Sequence, residues 1–102
     1  MESVLIPAFD KFFLFCNLYR AEQSKAVVQI IHGAAEYKAR YHTVATFLQS
    51  QGYNVLVSDQ RGHGDSTDAR FARGYLPYVE VLVEDQWYVT PFLKQEFPRL
   101  PI

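Results

Sequence analysis

The first quarter of the chain contains two apolar runs separated by turn-forming residues. Residues 4–6 and 12–19 are dominated by large apolar side chains, and Pro7 and Asp10 lie in the segment between them. Short apolar runs bounded by such residues are typical of paired β-strands. We therefore predict an antiparallel amino-terminal hairpin over residues 1–25.

A second pattern, over residues 26–58, predicts a strand, a helix and another strand. Residues 26–31 and 53–58 are nearly continuous apolar runs rich in β-branched side chains, as expected of strands covered on both faces. Between them, apolar side chains recur at helical spacing, at Tyr41, Val44, Ala45 and Leu48. Gly52 follows this stripe and can end the helix in a left-handed conformation. This succession indicates a right-handed βαβ unit with a parallel pair of strands.

The remainder of the chain predicts a loop and a second helix. Residues 59–77 are rich in Gly, Asp, Arg and Ser, which favours a loop. Helical spacing returns over residues 78–97, although Pro91 removes a backbone donor and is expected to bend this helix or to end its first half. Residues 98–102 lead into a further strand. No repeat or linker divides the chain, so we predict one α/β domain, or part of one, over residues 1–102.

Charge and composition narrow the class of partner. A net charge of −1 and a pI near 6.3 provide no basic surface for nucleic acid and no polybasic patch for an anionic membrane. The longest apolar run, residues 12–16, is far shorter than the ~20 residues of a membrane-spanning helix. The single Cys16 cannot form an internal disulfide and is expected to be a small buried side chain. We expect a protein of the reducing cytoplasm with no nucleic-acid partner and no membrane span.

Cofactor and metal motifs are absent or incomplete in the sequence. Residues 62–67 approach a dinucleotide-binding loop, but Thr67 occupies the third glycine position. No phosphate-binding loop ending in Gly-Lys-Ser or Gly-Lys-Thr is present, and the three histidines are scattered. We therefore predict no cofactor and no metal site.

The turn that follows residues 26–31 is the first candidate for chemistry. Gly33 lets the chain bend sharply after His32, and backbone N–H groups beyond the carboxyl end of a strand can point at a developing oxyanion. Ala34 is the candidate donor. The alternative is that Gly33 only reverses the chain and that His32 is a hydrogen-bonded packing residue.

The segment that follows residues 53–58 is interpreted mainly as a scaffold. In this segment Asp59 and Arg61 can pair with neighbouring backbone or charge, Gly62 and Gly64 let the loop reverse, and His63 packs nearby. We favour this structural role over direct catalysis.

Other side chains near these motifs are assigned ordinary roles. Ser66 is expected to cap the loop, and Tyr37 and Tyr41 could line a pocket, although aromatic residues beside a helix start more often belong to the core. The remaining carboxylates of the loop and second helix are expected to be solvated charges: Asp65, Asp68, Glu80, Glu84 and Asp85.

Taken in order, these segments resemble the lysophospholipase and monoacylglycerol lipase branch of the α/β-hydrolases. The resemblance spans residues 26–102 and is carried by residues 28–36, Arg40, Tyr41, and residues 51–55, 59–64, 66 and 97–102. It implies an amino-terminal portion of that fold, with the Ala34 amide in an oxyanion hole and an oxyanion loop formed by His32, Gly33, Ala35 and Glu36. In this resemblance Glu36 matches an acidic position of the branch, whereas epoxide hydrolases and dehalogenases commonly have proline after His-Gly-x. This difference favours ester chemistry.

The resemblance also implies that the Ser-His-Asp triad is not within residues 1–102. In a complete member of the branch the nucleophile would follow Ile102 in a Gly-x-Ser-x-Gly turn, with Asp and His later in the chain. None of the serines lies between glycines in this way: Ser3, Ser24, Ser50, Ser58 and Ser66. We therefore expect a serine ester hydrolase cut before its nucleophile strand, which takes lipid or small acyl esters as substrate when complete and is inactive alone.

In the resembled fold the nucleophile strand lies beside the strand at residues 26–31. A chain that stops at Ile102 is therefore expected to expose the edge of that strand. Exposed apolar edges pair with other chains. We expect self-association, or pairing with the missing half, through residues 26–31. The alternatives are a non-catalytic scaffold or binding protein, and a decayed gene product without a selected activity.

Overall fold

Residues 1–33, 36–72 and 79–102 are described by the computed structural model of the chain, and they form four strands and two helices. The strands are β1 (Glu2–Pro7), β2 (Phe13–Tyr19), β3 (Ala26–Ile31) and β4 (Tyr53–Ser58). A 3₁₀ turn over Lys38–Tyr41 leads into α1 (His42–Ser50), and α2 covers Glu80–Glu96. Residues 73–78, which include the predicted start of the second helix, lie outside the described ranges.

The four strands form one mixed sheet in the order β1-β2-β4-β3. β1 and β2 are antiparallel, with Val4 opposite Cys16, and β2 is also antiparallel to β4. β3 and β4 are parallel, with Val28 opposite Val55. The predicted antiparallel hairpin and the predicted parallel βαβ pair are therefore confirmed.

Alternate side chains along a strand point to opposite faces of the sheet, so the sheet has two faces to bury. A helix covers each of them. One face packs against α2 through a group of buried side chains: Leu14, Cys16, Leu18, Leu56, Val89 and Leu93. The other face packs against α1 through a second group: Tyr19, Ala45, Val55 and Val57. β4 is consequently buried along nearly its whole length.

Cys16 lies in the core as expected from the sequence. Its side chain is 1% exposed, and burial raises the pKa of the thiol to about 12. The thiolate that would react with electrophiles is therefore disfavoured at neutral pH.

β3 lies at one end of the sheet, and only part of it is covered. Val27 is buried, whereas Ile31 is 53% exposed. Among the described residues no strand pairs with the outer side of β3, although the Val27 N–H donates a hydrogen bond to the Pro101 carbonyl at 2.8 Å. An open groove of about 670 Å³ runs between β3 and α2 and is lined in part by Val28, Val83, Trp87 and Ile102. Coverage of both faces, expected for residues 26–31 and 53–58 alike, is therefore found in β4 and is incomplete in β3.

α2 continues through Pro91 instead of ending there. The helix includes Pro91, and the Phe97 N–H donates to the Leu93 carbonyl at 2.8 Å beyond its end. Val89 and Leu93 are both fully buried, so the residues on either side of the proline pack against the same sheet face. This packing offsets the lost backbone donor. In the described ranges, neither helix has the length and hydropathy needed to cross a membrane.

Candidate functional site

His32 follows β3 at its carboxyl end and links it to Gln60, in the segment that follows β4. The His32 side chain is buried, and its Nε2 accepts a hydrogen bond from the Gln60 N–H at 2.9 Å. Because Nε2 is an acceptor, the hydrogen lies on Nδ1, which donates to the Gly33 carbonyl at 2.8 Å. The Gln60 side-chain amide donates to the His32 carbonyl at 2.6 Å. His32 therefore holds the ends of β3 and β4 together, with both ring nitrogens engaged inside the chain.

Glu36 folds back onto the turn that begins at Gly33. Its Oε1 accepts hydrogen bonds from the Gly33 N–H at 2.6 Å and from the Tyr41 hydroxyl at 2.8 Å. The Glu36 N–H donates to the Gly33 carbonyl at 3.2 Å, which closes a tight turn. A Cβ on Gly33 would lie 3.0 Å from Glu36 Oε1, so the closed turn leaves little room for a larger residue.

These hydrogen bonds favour the ionised form of Glu36. Donation from the Gly33 N–H, and then from the Tyr41 hydroxyl, lowers the pKa of the Glu36 carboxyl below its usual value. The same contact keeps the phenol protonated and raises the pKa of Tyr41. Tyr37, by contrast, is 45% exposed and lies outside this network. The turn therefore contains a carboxylate that is bound to its own backbone.

The predicted oxyanion donor Ala34, together with Ala35, lies outside the described residues. The residues on either side, Gly33 and Glu36, are brought together at the carboxyl end of β3. The role of the amide at position 34 stays a prediction.

Asp59 joins the segment after this turn to the loop after β4. Its buried carboxylate accepts hydrogen bonds from the Lys38 N–H and the Lys38 ammonium group, each at 2.6 Å, and from the Asp65 N–H at 2.9 Å. The Lys38 ammonium also donates to the Asp65 carboxylate at 2.8 Å. Burial opposes the charge of Lys38, but the two carboxylates outweigh it and raise the pKa of the ammonium group. Charge-assisted hydrogen bonds thus tie the two loops to each other.

The loop after β4 is shaped around the Asp59 carboxylate. Gly64 has φ +51°, and a Cβ built on it would lie 2.3 Å from the Asp59 carboxyl group. Gly62 also has a positive φ of 77°. Both positions therefore suit glycine, since other residues rarely adopt this conformation.

Two further residues attach the loop to the sheet. Ser66 is fully buried; its hydroxyl donates to the Asp59 carbonyl at 2.6 Å and accepts from the Phe15 N–H of β2 at 2.9 Å. The ring of His63 lies 5.2 Å from the ring of His32, measured between centroids. Ser66 therefore anchors the loop to β2, and His63 packs against His32 beside the candidate turn.

Arg61 is fully buried and forms forked pairs with two carboxylates. Its Nε and Nη2 donate to Asp85 at 3.0 and 2.8 Å, and its Nη1 and Nη2 donate to Asp10 at 2.7 and 2.9 Å. The rings of Phe12 and Phe71 lie 4.4 and 4.5 Å from the guanidinium carbon. The prediction that Asp85 is a solvated charge is wrong, because its side chain is 1% exposed and paired with Arg61.

The pKa values in this cluster follow from burial and from these pairs. The hydrogen bonds from Arg61 lower the pKa of Asp10, which lies nearer the surface. Burial raises the pKa of Asp85 against the opposing effect of Arg61. Burial also opposes the charge of Arg61, but Asp10 and Asp85 outweigh it and raise its pKa. The cluster joins the hairpin turn, the loop after β4 and α2.

Sequence reasoning did not identify these carboxylates as partners of Arg61, although one signal was present. Asp85 lies midway between Val81 and Val89 at helical spacing, and all three face the core. A charge on the buried stripe of a helix requires a partner. The pairing of Lys38 with Asp59 had no comparable signal, since the two residues are 21 positions apart.

Comparison with known proteins connects this geometry to a family. The family described as serine aminopeptidase, S33, matches residues 22–102. Over 70 residues the chain is 37% identical to phospholipase YtpA of Bacillus subtilis, a match that covers 68% of this chain and 26% of that protein. Over 94 residues it is 29% identical to human monoglyceride lipase, covering 91% of this chain and 30% of the lipase.

A solved structure shares the fold. A thermostable carboxyl esterase from Bacillus coagulans has a TM-score of 0.85 at 20% identity, over 98% of this chain and 34% of the esterase. With this likeness, the mixed sheet and its two covering helices define a protein of the α/β-hydrolase class. The chain belongs to the serine aminopeptidase S33 family of hydrolases. It spans about a third or less of the length of these relatives.

Proposed function

We propose that this chain provides the oxyanion side of a serine ester hydrolase of the lysophospholipase or monoacylglycerol lipase type. The proposed substrates are lysophospholipids, monoacylglycerols or similar acyl esters. The similarity to a phospholipase and to a monoglyceride lipase supports this substrate class. The single Cys16, buried and without a disulfide partner in the chain, suits a reducing compartment such as the cytoplasm.

The observation that carries the proposal is the closed turn at the carboxyl end of β3. Ligands of open α/β sheets bind outside the carboxyl ends of the strands. The His32–Gly33 turn lies at that position, beside the loop that follows β4. A backbone amide presented there can meet a carbonyl oxygen above the sheet.

In the proposed mechanism the amide of residue 34 stabilises the negative charge that develops on the ester carbonyl oxygen during nucleophilic attack. One such donor contributes about 2.7–4 kcal/mol of transition-state stabilisation. It cannot replace an activated nucleophile, whose removal with its base costs far more. We propose that the nucleophile, its base and its orienting acid come from outside residues 1–102, so the chain alone does not hydrolyse esters.

A fusion protein tests this proposal. The full 102-residue chain is joined to the part of phospholipase YtpA that follows its matching segment, and hydrolysis of p-nitrophenyl butyrate, a lysophospholipid and a monoacylglycerol is measured. Fluorophosphonate labelling identifies the nucleophilic serine, and replacing that serine by alanine provides the matched control. An aminoacyl p-nitroanilide tests the peptidase activity that the family description names.

We expect ester hydrolysis and labelling by the fusion, with neither from the serine-to-alanine fusion or from the chain alone. A folded fusion that cleaves only the anilide contradicts the ester proposal. A folded fusion without any hydrolysis contradicts the hydrolase proposal as a whole. Hydrolysis by the chain alone contradicts the assignment of the nucleophile to a segment outside it.

The edge of β3 supports a second candidate, a binding role through self-association. No strand in the described ranges pairs with the outer side of β3, and the groove beside it contains the largely exposed Trp87. Apolar edges of this kind pair with other chains. Sedimentation of the chain should then show a dimer that Ile31→Lys converts to monomer. A monomer at every concentration tested contradicts this role.

A further inference from the structure

The carboxylate of Glu36 lies inside the turn that it closes, and one oxygen serves two donors. Oε1 accepts from the Gly33 N–H at 2.6 Å and from the Tyr41 hydroxyl at 2.8 Å. The Glu36 N–H also donates a longer backbone hydrogen bond to the Gly33 carbonyl, at 3.2 Å. The side chain therefore provides the shorter of the two links between Gly33 and Glu36.

We propose that Glu36 is a positioning residue for catalysis, acting through its hydrogen bond to Gly33 to hold the turn after β3 in the arrangement that receives the oxyanion. This inference rests on the proposed ester hydrolase function. Glu36 has no role of its own as acid, base or nucleophile in it.

The geometry gives this role a physical reason. Glycine has the most backbone freedom of any residue, so a Gly33 N–H without a partner leaves the turn free to change its φ and ψ angles. Catalytic donors must be held within about 0.5 Å of their productive position. A displacement of about 1 Å can lower a rate by about 100-fold. The hydrogen bond from Gly33 to Glu36 removes this freedom before substrate binds.

Tyr41 fixes the position of the Glu36 carboxylate. Its hydroxyl holds Oε1 from the helical side, while its ring packs against the cluster formed by Tyr19, Ala45, Val55 and Val57. The turn is thereby connected to the packed face of the sheet. Beyond Glu36, the bond from the Lys38 N–H to Asp59 fixes the next residues of the same segment.

Four variants of the fusion protein test the proposal through kcat and KM for p-nitrophenyl butyrate. Glu36→Ala removes the acceptor, and Glu36→Asp keeps the charge but shortens its reach. We expect both to lower kcat by about 10- to 100-fold with KM changed by less than about threefold. Glu36→Gln keeps a carbonyl oxygen that can accept both bonds, and we expect it to recover kcat to within about fivefold. Glu22→Ala, at an exposed site, is the control for losing a carboxylate.

A second measurement, made on the 102-residue chain, reports directly on the hydrogen bond from the Gly33 N–H to Glu36. Hydrogen exchange of the Gly33 amide, measured by NMR, reports whether this N–H has a partner. We expect protection in the unsubstituted chain and in Glu36→Gln, and at least tenfold faster exchange in Glu36→Ala and Glu36→Asp. The amide of Val55 in the core strand β4 serves as the internal reference for an intact fold.

The outcomes separate the two proposals. An active fusion whose kcat is unchanged in Glu36→Asp overturns the positioning role and leaves the ester hydrolase proposal standing. A loss of activity that Glu36→Gln does not recover also overturns it. If Glu36→Ala fails to fold, the change in kcat of Glu36→Asp alone decides whether Glu36 has the positioning role. A folded but inactive unsubstituted fusion overturns the proposed function and, with it, this inference.

Discussion

Replacing Asp85 by alanine removes one of the two carboxylates that neutralise the buried Arg61. The substitution deletes two of the four hydrogen bonds that join the guanidinium to Asp10 and Asp85. Removing one partner of a buried ion pair costs about 3–5 kcal/mol. Because Asp10 keeps its two bonds, we expect a loss at the lower end, about 3 kcal/mol. That is a large share of the ~5–15 kcal/mol by which a small domain is stable.

Urea unfolding followed by far-ultraviolet circular dichroism measures this loss. With a denaturant slope of about 1–3 kcal/mol per molar, the midpoint for Asp85→Ala should fall by about 1–3 M. Glu84→Ala is the matched control, since it removes a carboxylate from the adjacent, exposed position of the same helix. An exposed substitution of this kind should change the free energy of unfolding by less than about 0.5 kcal/mol.

A double substitution examines the cause of the loss. Arg61→Met with Asp85→Leu replaces the two fully buried charges by apolar side chains. This exchange should be less destabilising than Asp85→Ala alone, because no fully buried charge remains, and Asp10, which loses Arg61, lies nearer the surface. Equal midpoints for Asp85→Ala and Glu84→Ala would refute the reasoning. So would a double variant less stable than Asp85→Ala.

Three other predictions follow from local geometry. Gly64→Ala should lower the melting temperature more than Gly52→Ala, although both positions have positive φ. A Cβ at Gly64 would contact the fixed carboxylate of Asp59, whereas a Cβ at Gly52 would contact the flexible side chain of Lys25. Equal shifts on thermal unfolding would contradict this. Because burial raises its pKa to about 12, the Cys16 thiol should resist a disulfide reagent until the chain unfolds; rapid reaction in native buffer would argue against its burial. The stability provided by ionised Asp10 is fully present above its ordinary pKa of 3.8 and is lost as the pH falls through its lowered pKa. Urea midpoints should therefore fall more between pH 7 and pH 3 in the unsubstituted chain than in Asp10→Asn, and parallel falls would show that Asp10 does not contribute.

The parts of the fold that the sequence predicted are those set by local periodicity. The apolar run in β4 is buried where the pattern placed it. The helix α1 also lies where its stripe predicted it, although Ala45 is buried and Val44 is 49% exposed. Gly52 has φ +91°, as its predicted left-handed position requires. The sharp turn after His32 was also predicted from neighbouring residues alone.

The parts that could not be predicted depend on partners distant in the chain. Arg61 and Asp10 are 51 positions apart in the sequence, and Lys38 and Asp59 are 21 apart. Local sequence patterns therefore do not predict either pair. Pro91 shows the converse, because local propensity indicated a break and packing on the sheet kept the helix continuous. The contact of the Glu36 carboxylate with the Tyr41 hydroxyl could not be predicted either, because it depends on where the folded chain places Tyr41.

A crystal structure of the fusion protein, labelled with a fluorophosphonate, would show where the amide of residue 34 lies relative to the oxyanion. The phosphonyl oxygen of such an adduct occupies the place of the oxyanion. We predict that the amide nitrogen of residue 34 lies about 2.7–3.1 Å from that oxygen. A nitrogen at position 34 that is hydrogen-bonded within the chain, or that faces away from the phosphonyl oxygen, would contradict its assignment as the oxyanion donor.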